Sequence, residues 1–236
     1  MRWLRRSRPR PSDESAPARE SAAGDARERM VAEQLRSRGI NDSEVLEALG
    51  TVERHRFVDG DEPYGDHALP LTSGQTISQP YVVALMTAAA RPPNGWREAE
   101  VLEIGTGSGY QAAILAELGA RVVSIERHES LAASARQRLD ETGYADRVTV
   151  HAADGTHGWP DGAPYRAILV TAAGPTIPEP LLEQLDPDGG RLVMPVGGRE
   201  KQHLSLVERH GDDYRQSDLG PVVFVPLIGE HGHSAT

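Results

Sequence analysis

Downstream of Gly95 the apolar residues gather into short, β-branched runs of four to seven residues. These are VLEI (101–104), VVSIE (122–126), VTVHAAD (148–154), AILVTAA (167–173) and RLVMPV (191–196). Between them lie segments whose apolar residues recur at helical spacing: YQAAILAEL (110–118), SLAASARQRLDETG (130–143), with Ser130 placed to cap it, and PEPLLEQL (178–185). Short β-branched runs alternating with helical segments predict right-handed crossovers and a mainly parallel central sheet with helices on both faces, an α/β, Rossmann-like architecture. Two later runs, HLSLVERHGDDYRQ (203–216) and PVVFVPLI (221–228), are separated by polar residues and predict a C-terminal antiparallel hairpin at the sheet edge.

Upstream the pattern is helical. Asp25 is a candidate N-cap, Met30, Val31 and Leu35 form one stripe, and Gly39 is a stop signal. A second short helix is predicted around Val45, Leu46 and Leu49. Both are amphipathic and form an N-terminal helical cap that needs a larger body to cover its apolar face. Residues 1–24 are rich in Arg, Pro, Ser and Ala, and are expected to be a disordered extension. Residues 25–230 then make one domain: a helical part (25–95), an α/β core (96–200) and the hairpin (201–230), with a flexible tail at 231–236.

Composition narrows the chemistry. The 236 residues suffice for one sizeable core. There is no cysteine, which removes disulfides, thiolate metal sites and a cysteine nucleophile. The net charge is −10, and since residues 1–10 carry five Arg and no acid, the rest stands at −15. So acidic a body repels phosphate backbones, and no nucleic-acid partner is expected. No apolar stretch long enough for export or for a membrane span is present, so a cytoplasmic protein without membrane partners is expected, acting as a monomer. The nine His are scattered, His231 and His233 fall in the tail, and no metal site is expected.

The sharpest local signal is VLEIGTGSGYQAAIL, with Gly105, Gly107 and Gly109 between the first strand of the core and its first helix. A parallel sheet brings backbone close to a ligand at that place. A dinucleotide fingerprint would have its third glycine at position 110, which is Tyr. Glu103 lies two residues before the loop, where its charge would repel a pyrophosphate but suit a ligand with a cationic end. S-adenosylmethionine is such a ligand, with an ammonium, a sulfonium and no phosphate. Glu126, 21 residues beyond Gly105, ends the second strand and can accept both ribose hydroxyls, a device that NAD sites share. Asp154 and Gly155 end the third strand and are expected to border the adenine, and Thr106 completes the loop. S-adenosylmethionine is therefore preferred over NAD.

Methyl transfer from a sulfonium is an in-line displacement that asks for alignment and a dry site. A carboxylate acceptor, with pKa near ~4, is already ionised at neutral pH and needs no base, in keeping with a chain that shows no compact acid/base cluster. The stretch TSGQTIS (72–78) precedes a helix opened by Pro80 and holds more hydroxyls than one cap requires. Neutral donors at a helix N-terminus can hold an anion without quenching it. Capping by Ser78 and a turn hydrogen bond from Thr76 are the structural alternatives, and spacing leaves the choice open.

These residues resemble the protein-L-isoaspartate O-methyltransferase family. The matching segments are MVAEQLRSRGI, RFVDG, ALPL, GQTISQPYVVALM, VLEIGTGSGYQAAILAEL, PYRAILVTAA, IPEPLLEQL, GGRLVMPVG and FVPL, in family order from Met30 to Leu227. The resemblance implies an S-adenosylmethionine-dependent methyltransferase fold and methylation of the free α-carboxylate of L-isoaspartyl, and also D-aspartyl, residues in damaged proteins, which would be the partners. It implies Ser78 as the active-site residue with Thr76 beside it. Gln75, Ile77, Val225, Pro226 and Leu227 would meet the substrate, and Glu103, the glycine loop, Glu126, Asp154 and Gly155 the cofactor. Alternatives are an aspartimide-forming enzyme acting on Asp of a ribosomal peptide, and a silent S-adenosylmethionine-binding module.

Overall fold

The computed structural model describes residues 16–198 and 200–234. Helix α1 (Ala16–Arg29) runs on through a π-helical segment (Met30–Leu35) and a 3₁₀ turn that ends at Gly39, followed by α2 (Ser43–Thr51). Asp42 caps α2, its Oδ1 accepting from Glu44 N and Val45 N. A small antiparallel pair, β1 (Leu69–Pro70) with β2 (Thr76–Ile77), precedes α3 (Pro80–Ala89). The core then alternates: β3 (Glu100–Ile104), α4 (Tyr110–Glu117), β4 (Arg121–Glu126), α5 (Glu129–Glu141), β5 (Val148–Ala152), β6 (Ala167–Val170) and α6 (Glu179–Glu183). Three longer strands close the sequence of elements: β7 (Asp188–Gly197), β8 (Gln202–His210) and β9 (Asp213–Val222).

One seven-stranded sheet results, in the order β5-β4-β3-β6-β7-β8-β9. The pairs from β5 through β7 are parallel, and β7–β8 and β8–β9 are antiparallel. Alternation along the buried strands splits the core in two. On β6, Ala167 and Leu169 face the layer of α2, α3 and α4, whereas Ile168 and Val170 face the α6 side. The strand order reverses between β3 and β6, so the crevice at their carboxyl ends is the topological switch point at which open α/β sheets bind ligands.

Three sequence expectations need correction here. The first helix begins at Ala16, not at a cap on Asp25, so part of the extension expected to be disordered is helical; its alanines favour helix, and Ala23 and Ala26 pack on the core. Residues 1–15 lie outside the described residues. The hairpin turns at Gly211, inside the first of the two apolar runs, and residues 223–228 leave the sheet. Residues 229–233, expected as the end of the hairpin and a loose tail, form a turn anchored by Glu230 N to Asp154 Oδ2 and by His231 N to Thr156 Oγ1.

Candidate active site

The crevice at the switch point is lined by the glycine loop after β3, the end of β4, the turn after β5, the end of β6 and residues 225–228. Gly105, Gly107, Glu126, Gly155, Gln75, Thr76, Val225, Pro226 and Leu227 all line it. Glu126 is nearly buried, and its two oxygens bridge the loops on either side: Oε2 accepts from Gly107 N and Oε1 from His128 N, each at 3.0 Å. His128 is also the residue before α5, which begins at Glu129 without a side-chain cap, so Ser130 lies within the first turn and does not cap.

Gly105 has φ +97°, and a Cβ there would stand 2.3 Å from Thr171 Oγ1. Both facts require glycine. A Cβ on Gly155 would meet Ile104 Cγ2 at 2.5 Å, so glycine lets the turn after β5 lie directly against the end of β3. Gly109 is different: it precedes α4 and packs towards Leu139 and Ala135, away from the crevice.

Two acids depart from expectation. Glu103 does not line the crevice. Its side chain enters the face of the sheet towards α4, fully buried, where Oε2 accepts from Ser124 Oγ and Ser124 Oγ lies 2.5 Å from Thr106 Oγ1. Burial, and to a lesser extent the charge of Glu126, outweigh the Ser124 hydrogen bond and push the Glu103 carboxyl up to about 8. At neutral pH it is mostly protonated, so it places little charge beneath the loop. Asp154 is engaged elsewhere too, its Oδ1 accepting from Thr156 N and Thr156 Oγ1 and its Oδ2 from Glu230 N. Burial works against the ionised form, but these bonds and nearby His157 hold Asp154 below the usual carboxylate range. It fastens the turn at 229–233, and Gly155 beside it is the residue that borders the crevice.

The TSGQTIS stretch sits at the crevice mouth. Thr76, Ile77 and Ser78 line a second cavity with Gly105, Thr106 and Gly107, and Thr76 and Ser78 line a third with Gln79, Val82 and Val223 to Val225. Ser78 is not the cap of α3. The position before Pro80 is Gln79, which makes no capping bond, and Pro80 itself brings no N–H. Tyr81 N instead donates to Asp66 Oδ1 at 3.4 Å, and Gln79 Nε2 donates to Asp66 Oδ2 at 2.8 Å. A carboxylate from the preceding connection therefore serves the helix end and leaves Ser78 at the two cavities. The backbone at residues 225–227 is fixed by Ala173, whose N–H donates to Val225 O and whose carbonyl accepts from Leu227 N, both at 2.8 Å.

Sequence reasoning missed Asp66 and Thr171. Asp66 lies among other Asp and Glu residues and carries no local signal. Thr171 follows β6, and only the pairing of Ile104 with Val170 shows that the next residue must face the glycine loop.

The comparisons with known proteins bear on which reactions suit this site. The family model for protein-L-isoaspartate(D-aspartate) O-methyltransferase matches residues 26–232. The chain belongs to that family. Protein-L-isoaspartate O-methyltransferase 1 of Syntrophobacter fumaroxidans is 54% identical over 210 residues, 88% of this chain and 96% of the relative. The Methanoregula boonei protein-L-isoaspartate O-methyltransferase is 53% identical over 211 residues, 88% of this chain and 95% of the relative. Among solved structures, a protein-L-isoaspartate O-methyltransferase superposes with a TM-score of 0.76 at 25% identity, over 87% of this chain and 67% of the other. A Plasmodium falciparum structure described as a putative member, in complex with S-adenosyl-L-homocysteine, gives a TM-score of 0.74 at 22% identity over 86% and 98% of the two chains, a match of fold. The family membership bears out the expected methyltransferase fold with its parallel core and antiparallel edge. It removes the dinucleotide oxidoreductase from consideration. Among the described residues, no helix is long and apolar enough to cross a membrane.

Proposed function

We propose that the protein transfers the methyl group of S-adenosylmethionine to the free α-carboxylate of L-isoaspartyl residues in proteins and peptides, the first step of their repair. The observation that carries this reading is the position of Ser78: a hydroxyl relieved of capping by Asp66, in cavities that adjoin both the glycine loop and the protein surface. Family membership and relatives about half identical over nearly their whole length support it.

The crevice fits the cofactor. Glu126 is an acceptor for ribose hydroxyls, the glycine loop lets backbone approach the methionine portion, and Gly155 leaves a flat wall for adenine. When bound, S-adenosylmethionine supplies a methyl group on a positively charged sulfur, a leaving group that departs as a neutral thioether. The chain's part is alignment. Thr76 and Ser78 hold the acceptor carboxylate by hydrogen bonds from neutral donors, which orient it without the charge pairing that would lower its nucleophilicity. Ile77, Val223 and Val225 exclude water around it, and Val82 and Gln79 line the way out for the substrate chain. The ester is then attacked by the backbone amide nitrogen of the following residue, which expels methanol and leaves a succinimide that water opens partly to normal aspartyl.

The reading extends to D-aspartyl residues and to a cytoplasmic monomer whose reaction involves neither nucleic acid nor membrane. The net charge of −10 supports the exclusion of phosphate backbones. Incubating an isoaspartyl peptide with the enzyme and S-adenosylmethionine, and separating products by reversed-phase chromatography, tests it. Methyl ester, succinimide and then a growing aspartyl peptide are expected. An isoaspartyl peptide that persists unmodified would overturn the reading.

A further inference from the structure

Among the described residues, only Thr76 and Thr171 line all three of the adjoining cavities: the crevice, the gap beside the glycine loop and the chamber that opens to the surface. Val225 borders the crevice and the chamber as well, so these side chains mark where the two spaces adjoin. Thr171 is held there firmly. Its N–H donates to Ile104 O at 2.9 Å, and its Oγ1 lies 3.1 Å from Ile104 O and 2.8 Å from Gly105 O. Carbonyl oxygens are acceptors only, so the single hydroxyl proton is directed at this pair. The oxygen's lone pairs are then left for the cavity side, and the hydrogen bond to Gly105 O keeps the side chain from turning away.

We propose that Thr171 is a positioning residue for methyl transfer, whose hydroxyl fixes the Gly105 carbonyl and presents its lone pairs to the sulfonium and its polarised methyl group where the cofactor crevice meets the acceptor chamber. This rests on the methyl-transfer reading above. A methyl group on a positive sulfur is an unusually good C–H donor, and an oxygen aimed at it favours the charged cofactor over its neutral product. The hydroxyl therefore aligns the methyl with the acceptor held by Thr76 and Ser78 and also separates substrate from product by charge.

Calorimetric titration of the full chain with S-adenosylmethionine and, separately, with S-adenosylhomocysteine tests this in wild type, T171V and T171S. T171V keeps the shape and removes the hydroxyl. It is expected to weaken S-adenosylmethionine about 10-fold while S-adenosylhomocysteine loses less than about 3-fold, and T171S is expected to restore both to within about 3-fold of wild type. Equal losses for the two ligands would assign Thr171 to holding the loop alone and overturn the proposal, as would wild-type binding of both by T171V. If T171V fails to fold by circular dichroism, T171A is measured against the same two outcomes. Wild-type chain that binds neither ligand, or binds them without methylating an isoaspartyl peptide, would defeat the methyl-transfer reading. A wild type that does both beside an unaffected T171V defeats only the role of Thr171.

Discussion

Glu126 Oε2 accepts the Gly107 N–H at 3.0 Å, so the acid that ends β4 also fixes the middle of the glycine loop. Its other oxygen does the same for the residue before α5. Under the proposed reading, cofactor affinity and loop conformation depend on one side chain. Replacing it by Gln swaps an acceptor oxygen for a donor amide facing one of two N–H groups. E126Q is expected to weaken S-adenosylhomocysteine by at least about 10-fold, as for loss of a hydrogen bond to a charged group. Calorimetry at fixed ionic strength measures this, and unchanged affinity would mean that Glu126 has only a structural task.

Ser78→Ala separates function from stability. Because Asp66 serves the end of α3, removing the Ser78 hydroxyl is expected to leave the folding free energy within about 0.5 kcal/mol of wild type, as for a substitution outside any cap or core contact. Turnover on an isoaspartyl peptide is expected to fall about 10- to 100-fold, the scale for losing one oriented donor. Urea denaturation beside initial rates separates the two effects. A loss of about 1 kcal/mol with turnover retained would return Ser78 to the capping role.

Asp66→Ala should show the converse. Asp66 binds Tyr81 N and Gln79 Nε2 and forms an ion pair with Arg38, whose guanidinium lies 3.6 Å from the Tyr81 ring centroid. The variant is expected to lose about 1 kcal/mol of stability through the helix end. Its KM for peptide is also expected to rise, because Gln79 lines the acceptor chamber. A stability change with no change in KM would confine Asp66 to the helix.

Glu103 makes a prediction about pH. Its carboxyl is held at about 8 in the folded chain, against about 4.3 when unfolded. Between those values the folded state binds the extra proton, so this group's contribution to stability is fully present below pH ~4 and is lost as pH rises towards 8. E103Q cannot titrate. Thermal melts from pH 5 to 8 without cofactor should show Tm of wild type falling relative to that of E103Q as pH rises. Parallel curves would contradict a protonated Glu103.

Much of this was legible in sequence, and the reasons for the failures are specific. Short apolar, β-branched runs located every strand from β3 to β7, because parallel strands buried on both faces leave little freedom for other residues. The glycine loop and Glu126 could be placed because a turn between strand and helix fixes where backbone faces a ligand. Glu103 was misjudged, since its position on β3 gave the right strand end but not the face: alternation turns it inward with Val101. Asp154 was assigned to the ligand because Glu230, whose N–H it accepts, is 76 residues away and has no local signature. Whether Ser78 caps α3 was left open by spacing, because nothing near it shows that Asp66 folds back to that helix end. The roles of Asp154 and Asp66 depend on long-range partners, which local periodicity cannot contain.

The central claim is that the acceptor is the isoaspartyl carboxylate. Two peptides of one sequence, differing only in aspartyl or isoaspartyl linkage and distinguished by an isotopic label, should be mixed in equal amounts with the enzyme and S-adenosylmethionine and followed by mass spectrometry. The account predicts a gain of one methyl group on the isoaspartyl peptide alone; equal methylation of the two, or methylation of the aspartyl peptide alone, would contradict it.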